Sequence, residues 1–231
     1  YKTHRVAETV ETGPDVEVVP DPLEAQIPTI RESLEALGIP IVGAPHHEAD
    51  DVIGTLATQA TMPVDVVTGD RDLIQLVDDE RDVRVIYTGR GMSNLDVLTG
   101  ETVLAKYAVR PDQYADFATM RGDASDGLPG VAGVGDKTAA TLLSTHGDLD
   151  GILAAAETGE GMTAGVRAKL AAAADYLAVA PQVVRVVRDL DLGVVDGRIR
   201  PTDPEVVQQL ADRRGLGGSL ARAASALRAR A

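Results

Sequence analysis

The chain has 231 residues, 44% of them apolar and 25% charged, which is typical of a globular protein with one large domain, or one domain with an appendage. It has no cysteine, so disulfides and thiolate metal sites are excluded, and any metal site must use oxygen ligands or the four histidines, which favours hard cations such as Mg²⁺ or Mn²⁺. The net charge of −14 argues against a nucleic-acid-binding surface, unless many carboxylates surround metal ions that reverse the local field.

The first part of the chain combines irregular and helical patterns. Residues 6–21 lack a helical period, which predicts a mobile loop. Apolar residues recur at helical spacing over 23–37, and Gly38 is a typical helix stop. Pro28 either weakens this helix or marks a restart within it. Residues 39–42 then predict a short buried strand.

Helical and extended patterns alternate over the next fifty residues. We predict helices at 48–60 and 72–77, strands at 64–68 and 83–87, and an extended partner at 92–97. Such alternation predicts an α/β unit with a mostly parallel sheet, in which ligands bind beyond the carboxyl ends of the strands. Residues 43–51 and 68–72 would therefore lie on one rim of the sheet.

From Thr99 onward the pattern is helical. Helices are predicted at 99–106, 111–121, 136–144, 148–156, 164–178 and 203–213, with an Ala/Arg-rich helix packed on one face after residue 218. We read Tyr107, Tyr114 and Phe117 as helix-packing residues. The predicted organisation is an α/β core over residues 1–98 followed by an all-helical region over residues 99–231.

Three acidic clusters are candidate metal ligands. They are Glu48, Asp50 and Asp51; Asp70 and Asp72; and Asp123 and Asp126. Alone, each has a structural explanation: an acidic first turn of a helix, a polar loop with an aspartate cap, and an exposed Asp/Gly turn. Together they supply seven carboxylates, which would repel one another unless cations lay between them. Such a constellation is typical of two-metal phosphodiester hydrolysis.

A rival reading of the second cluster is an aspartyl-phosphate phosphatase. That class also places Asp-x-Asp after a strand. Ile74 stands where such enzymes carry a threonine, which weakens this reading.

A glycine-rich segment follows the third cluster. Gly130, Gly133 and Gly135 precede a predicted helix that begins with Asp136 and Lys137. Glycines let the backbone approach a phosphate, a helix N-terminus offers free N–H donors, and a lysine neutralises the charge. The segment therefore predicts a helix–hairpin–helix grip on the DNA backbone, at about residues 122–145, which reads no bases. The alternative is a packing motif with closely approaching helices.

These motifs resemble the bacterial 5′-nuclease family, which includes flap endonucleases and the N-terminal 5′–3′ exonuclease domain of DNA polymerase I. The matching residues are Tyr1, Lys2 and Arg5, Glu48-Ala49-Asp50-Asp51, Thr68-Gly69-Asp70-Arg71-Asp72, Gly122-Asp123-x-x-Asp126, and the run from Leu128 to Ala139. They follow the family's order and spacing from Tyr1 to about Ala156. The resemblance implies a PIN-like nuclease core and a helical DNA-binding region.

The resemblance implies a role for each motif. All seven carboxylates named above would hold two or more Mg²⁺ or Mn²⁺ ions. Tyr1, Lys2 and Arg5 would lie in a helical arch, where a lysine and an arginine steer and stabilise the scissile phosphate. The duplex backbone would bind at Gly130, Val131, Gly133, Val134, Gly135, Lys137 and Thr138, with K⁺ held by hairpin carbonyls.

The sequence also departs from the family pattern. The family's first strand with its metal-binding aspartate, and a second aspartate, should precede Tyr1, so we expect residues 1–21 to be an arch remnant and loop of an incomplete core. Gly127 stands where asparagine is usual. We expect a structure-specific, sequence-independent 5′-nuclease that acts on DNA flaps, nicks or gaps, monomeric, cytoplasmic and nucleoid-associated, and stand-alone rather than polymerase-linked. The alternative is a non-catalytic DNA-binding fragment without the complete metal site.

Overall fold

The computed structural model describes residues 6–8, 16–17 and 21–229. Their contacts define two units: Glu48–Leu190, and the described residues of Arg5–His47 together with Asp191–Ala231. In the first unit, the buried side chains of the strands and of the helices belong to one continuous core. The core therefore continues across residue 98, the predicted boundary between the nuclease core and the helical region. The functional division at this residue stays a prediction.

A small mixed sheet forms one side of the first unit. Its strands are β3 (Val64–Thr68), β4 (Val83–Tyr87) and β5 (Asp96–Leu98), preceded by helix α3 (Ala49–Gln59). β4 lies in the middle, parallel to β3 and antiparallel to β5. Because alternate side chains point to opposite faces, Val66, Val85 and Leu98 enter the core. The strands predicted at 64–68 and 83–87 are confirmed, and the extended partner predicted at 92–97 is a shorter strand that begins later, at Asp96.

The remaining elements of the first unit are helical. They are α4 (Gly100–Tyr107), α5 (Tyr114–Arg121), α6 (Asp136–His146), α7 (Leu149–Thr158), α8 (Ala164–Ala172) and α9 (Ala174–Val184), with 3₁₀ turns at Asp72–Leu76, Asp79–Arg81 and Pro111–Gln113. The prediction of a single helix at 164–178 is wrong, because the helix is interrupted at Ala173 (φ −101°, ψ 13°). The alanine-rich sequence has no stop signal there. The break arises because α8 packs against α7 whereas α9 packs against α5.

Helix α5 lies at the centre of this helical packing. Tyr107, Tyr114 and Phe117 form an aromatic cluster with edge-on and tilted ring pairs and centroid distances of 5.2–6.2 Å, which confirms their predicted packing role. The buried Asp116 accepts hydrogen bonds from the Leu149 N–H (2.9 Å) and from the Arg185 guanidinium (2.7 Å). This carboxylate joins α5 to the start of α7 and to the segment after α9.

The second unit consists of β1 (Val6–Glu8), β2 (Val16–Glu17), α1 (Asp21–Glu24), α2 (Ile27–Ala36), α10 (Pro204–Arg214) and α11 (Ser219–Arg228). Leu37, Leu210 and Leu220 are buried in its core. Pro28 lies in the first turn of α2, so it marks a helix restart. Leu220 and Ala224 are buried on one side of α11, as predicted for the C-terminal helix.

Two predictions for the second unit are wrong. Residues 39–42 are irregular, not a strand, and Pro40 has no N–H to donate to a sheet. The described parts of 6–21 include the antiparallel pair β1–β2 and the start of α1 rather than a loop throughout. The rest of that segment lies outside the described residues. No helix in the described part of the chain is long and apolar enough to span a membrane.

Candidate metal and DNA-binding site

The loop after β3 presents the second acidic cluster. The Asp70 N–H donates to the Thr68 hydroxyl (2.9 Å), and the Asp72 N–H donates to the Asp70 carboxylate (2.9 Å). These local bonds turn the chain directly beyond the carboxyl end of the strand, the predicted ligand-binding edge.

The 3₁₀ turn that begins at Asp72 is anchored by the residues that follow. Leu73 and Ile74 are fully buried. Gln75, also buried, donates to the carbonyls of Asp72 (2.8 Å) and Val184 (2.9 Å) and accepts from the Val186 N–H (3.2 Å). Gln75 therefore fixes the backbone that carries Asp72. Its only sequence signal is one amide within an apolar run.

The third acidic cluster occupies a tight turn after α5. Asp123 and Leu128 exchange two backbone hydrogen bonds, of 2.9 and 2.8 Å, and Asp126 lies buried between them. The turn requires glycine at both flanks, because Gly122 (φ +83°) and Gly130 (φ +69°) pack backbone against backbone. A Cβ on Gly122 would lie 2.6 Å from the Gly130 nitrogen.

The structure brings the second and third clusters together. Arg71 extends from the β3 loop to Asp123, with Nη2 and Oδ2 3.5 Å apart. Burial, followed by repulsion from Asp70, Asp126 and Asp123, raises the pKa of Asp72 to about 7. Four carboxylates from two distant segments therefore share one electrostatic environment.

Two arginines that sequence reasoning did not assign face this acidic group. Arg121 stacks over the Phe117 ring at 5.4 Å and lies 3.8 Å from Asp123, whereas Arg71 is largely exposed. Partial burial acts to raise the pKa of Asp123. The hydrogen bonds from Ser125 and the two guanidinium groups outweigh it, so the pKa of Asp123 is lowered. The pKa of Asp72 is thus raised, whereas the pKa of Asp123 is lowered.

The first acidic cluster lies at the start of α3. Glu48 is the N-cap residue, and Asp50 and Asp51 occupy the first turn, where negative charge is favourable. The Asp51 carboxylate also accepts a hydrogen bond from the Val187 N–H (2.9 Å). This contact gives Asp51 a structural role that the sequence did not indicate. The predicted metal-binding role of all three residues stays a prediction.

Within the part of the chain that the structure describes, no three carboxylate or imidazole side chains are grouped so that they could hold a metal ion. Ionised carboxylates repel one another, which favours longer separations than those between ligands of a single ion. The donor chemistry nevertheless fits a hard divalent cation, since Asp70, Asp72, Asp123 and Asp126 supply only oxygen ligands. Metal binding by these residues stays a prediction.

The predicted hairpin divides into a buried and an exposed part. The side chains of Val131 and Val134 are 2% and 4% exposed, so they pack in the core rather than face a ligand. Gly133 and Gly135 are exposed, and Gly135 precedes α6, which begins with Asp136. Only the backbone of this segment and its exposed side chains can reach a phosphate.

The exposed side chains of the hairpin region include Lys137 in the first turn of α6, as predicted, and one residue that sequence reasoning missed. The Lys169 ammonium on α8 donates to the Gly133 carbonyl at 2.8 Å. No local motif marks this lysine. Thr138 is half-buried, and its N–H donates to the Gly135 carbonyl (3.0 Å). The predicted arch residues Tyr1, Lys2 and Arg5 lie outside the described residues.

Two family models match adjoining parts of the chain. Residues 1–108 match the 5′–3′ exonuclease N-terminal resolvase-like domain, and residues 109–205 match the 5′–3′ exonuclease C-terminal SAM fold. These matches confirm the predicted α/β core followed by a helical region.

Relatives match over nearly the whole chain. A 5′–3′ exonuclease from Streptomyces coelicolor is 51% identical over 99% of this chain and 77% of its own length. One from Mycobacterium tuberculosis is 48% identical over 98% of this chain and 75% of its own length. A DNA polymerase I from Mycobacterium bovis is 42% identical over 84% of this chain but only 21% of its own length.

Solved structures with low sequence identity show the same fold. The catalytic core of Rad2 in complex with DNA substrate aligns with a TM-score of 0.58 at 16% identity, covering 90% of this chain and 68% of that one. T5 5′-exonuclease with bound divalent metal ions (zinc) aligns with a TM-score of 0.50 at 18% identity. The alignment covers 61% of this chain and 51% of that one, so the match spans about half of the T5 protein. By its two family models and its full-length relatives, the chain belongs to the 5′–3′ exonuclease family and is a nuclease of that family.

Proposed function

We propose that this chain hydrolyses DNA phosphodiesters at 5′ flaps, nicks or gaps, with Mg²⁺ or Mn²⁺ held at the acidic group formed by Asp70, Asp72, Asp123 and Asp126. The observation that carries this proposal is the environment of Asp72. Its pKa rises to about 7 because it is partly buried beside three further carboxylates. A protein gains nothing in stability from such a group, whereas a divalent cation would turn the repulsion into attraction.

The chemistry follows from this charge distribution. Divalent ions, when bound, polarise the phosphate and supply hydroxide near neutral pH. The β3 loop and the turn after α5 hold their carboxylates through backbone hydrogen bonds, so the ligands are positioned before the substrate arrives. Arg121, stacked on Phe117, is a fixed counter-charge, while the exposed Arg71 can turn from Asp123 toward a phosphate.

The proposal extends to residues from other parts of the chain. Glu48, Asp50 and Asp51 would complete the ligand set from the start of α3. Lys2 and Arg5, with Tyr1 beside them, would contact the scissile phosphate. These assignments rest on the resemblance of the motifs, and substitution of each residue tests them one at a time.

DNA would be held by its backbone. Gly133, Gly135 and the start of α6 offer N–H donors to a phosphate, because both glycines are exposed and carry no side chain of their own, and Lys137 supplies a positive charge. Such contacts position a duplex and read no bases, so the proposed substrate preference is for shape rather than sequence. All these groups lie on one chain, as a monomeric enzyme requires, and association with the nucleoid would follow from DNA binding.

A K⁺ ion at the hairpin is a further part of the resemblance. The Gly133 carbonyl already accepts a hydrogen bond from the Lys169 ammonium. A second cation on this oxygen would be repelled by the first. We therefore place any K⁺ on other hairpin carbonyls.

A second candidate function is DNA binding without catalysis. It is favoured by one observation: no three possible ligands among the described residues are grouped to hold a metal ion. Titration with Mn²⁺, followed by a cleavage assay on a 5′-flap duplex, separates the two functions. Saturable Mn²⁺ binding with cleavage supports the nuclease, and DNA binding without either supports the second candidate.

The sharper experiment changes one carboxylate. Asp70→Asn keeps the size of the side chain and its turn but removes the charge. We expect single-turnover cleavage of a flap to fall at least about a hundredfold, the scale for losing one electrostatic stabiliser, while DNA affinity holds or rises. Asp65→Asn is the matched control, because Asp65 lies on β3, the strand that leads into the Asp70 loop, and is exposed and paired with Arg84. Cleavage by Asp70→Asn at more than about a tenth of the parent rate would contradict the assignment of Asp70 to the metal site.

A further inference from the structure

Lys169 occupies an unusual position for an exposed lysine. Its ammonium donates to the Gly133 carbonyl at 2.8 Å, a contact between residues 36 positions apart in the chain. The same ammonium would lie 3.0 Å from a Cβ on Gly133, and the Lys169 Cε would lie 3.1 Å from it. The lysine therefore reaches the one turn whose exposed glycine, at φ +75°, is proposed to approach DNA.

The helix that carries Lys169 is fixed at both ends. Helix α8 is capped by the Thr163 hydroxyl, which accepts from the Val166 N–H (3.3 Å). Leu170, directly after Lys169, is 1% exposed and anchors the last turn of α8 in the core. A lysine normally loses much side-chain entropy when it binds a phosphate, and the bond to Gly133 reduces that loss.

The chain that follows Gly133 leads into the start of α6, which carries exposed charged residues. Lys137 and Asp136 are both exposed in the first turn of α6, so one cation and one anion flank the hairpin on that side. A Cβ on Gly135 would meet no atom within 4 Å, which leaves this face of the hairpin open. An ammonium has three donors, and the Gly133 carbonyl takes one of them.

We propose that Lys169 is a DNA-contact residue, whose ammonium is positioned by the Gly133 carbonyl to bind a backbone phosphate beside the hairpin. This inference rests on the proposed DNA-binding role of the hairpin. With Lys137, it gives the grip two cations from helices α6 and α8. In a chain with a net charge of −14, local cations at the hairpin would guide a polyanion to this face.

The competing explanation is that the contact only ties α8 to the hairpin. Three variants separate charge from tethering. Lys169→Arg keeps the charge, Lys169→Gln keeps an N–H donor for the carbonyl without the charge, and Lys169→Met keeps neither. Arg167→Met is the matched control on the same helix, because Arg167 makes a similar bond to a backbone carbonyl, that of Ala156 (2.8 Å), away from the hairpin.

The assay is binding of a fluorescent nicked duplex to the full chain in EDTA, measured from about 50 to 200 mM salt. Each lost phosphate contact lowers the slope of log K against log salt by about 0.9. We expect this smaller slope in Lys169→Gln and Lys169→Met. Over this fourfold salt range, the factor by which their affinity decreases should therefore be about 3.5 times smaller than the factor for the parent. Lys169→Arg and Arg167→Met should keep the parent slope, and melting temperatures identify any variant whose fold is weakened.

A parent slope in Lys169→Gln overturns the inference, whatever its affinity at low salt. So does a Lys169→Gln that fails to fold, because the contact would then support the structure rather than DNA binding. Lys137→Ala shows which proposal has failed. If it lowers the slope while Lys169→Gln does not, only the role of Lys169 is refuted. If the parent chain does not bind the nicked duplex, the proposed function fails.

Discussion

Replacement of Asp72 by asparagine tests the electrostatic reasoning without any substrate. The pKa of Asp72 rises from 3.8 to about 7, chiefly because partial burial desolvates the carboxyl and then because three other carboxylates lie near it. At 1.36 kcal/mol for each pH unit, the ionised group destabilises the metal-free fold by on the order of 4 kcal/mol above pH 7.

The sign of the pH dependence follows from the raised pKa. Below about pH 3.8 the carboxyl is protonated in both the folded and the unfolded chain, so it costs nothing. The cost grows as the pH rises toward about 7 and is complete above it. Asp72→Asn should therefore stabilise the metal-free protein by about 2–4 kcal/mol at pH 8 and by about 1 kcal/mol or less at pH 5, since the buried amide retains part of the desolvation cost.

The measurement is urea unfolding of parent and variant in EDTA at the two pH values. Asp65→Asn controls for the change of side chain, because the exposed Asp65–Arg84 pair contributes at most about 1 kcal/mol. Saturating Mn²⁺ should reverse the order at pH 8, because an ion that binds only the folded chain stabilises the parent more than the variant. Equal stability of parent and Asp72→Asn at pH 8 in EDTA would refute the reasoning.

Two glycines with positive φ, Gly130 after the acidic turn and Gly147 at the C-terminal end of α6, give contrasting predictions. Gly130→Ala should destabilise the chain by about 2–5 kcal/mol in urea unfolding, because φ is +69° and its Cβ would lie 2.4 Å from the Arg121 carbonyl oxygen. Gly147→Ala, with φ +90° and open space, should cost only about 1–2 kcal/mol, and an equal loss in both would contradict a role for close packing. Gly133→Val should weaken binding to a nicked duplex at fixed low salt while Mn²⁺ affinity stays at the parent value; unchanged DNA affinity would show that the backbone at Gly133 does not approach phosphate.

Much of the secondary structure and the chemical character of the candidate site could be predicted from the sequence. The alternating valines of β3 and β4, the capping threonine of α4 and the glycines of the hairpin act through local geometry, which a linear sequence records directly. The Asp-x-Asp spacing after β3 likewise placed two acids at the end of a strand. Prediction failed where local signals were ambiguous or missing. Residues 39–42 are irregular rather than a strand, and no sequence signal marks the interruption between α8 and α9 at Ala173.

The family, the order of most helices and strands, and the residue types that could bind a hard cation or a phosphate were thus all predictable from the sequence. Which of these residues come into contact was not, because that depends on the three-dimensional packing. Arg71 donates a hydrogen bond to Asp123, 52 positions later in the chain. Asp116 accepts hydrogen bonds from Leu149 and Arg185, and Lys169 donates one to the Gly133 carbonyl. Such contacts depend on how whole helices pack around one core, and packing is set by many side chains at once rather than by any spacing along the chain.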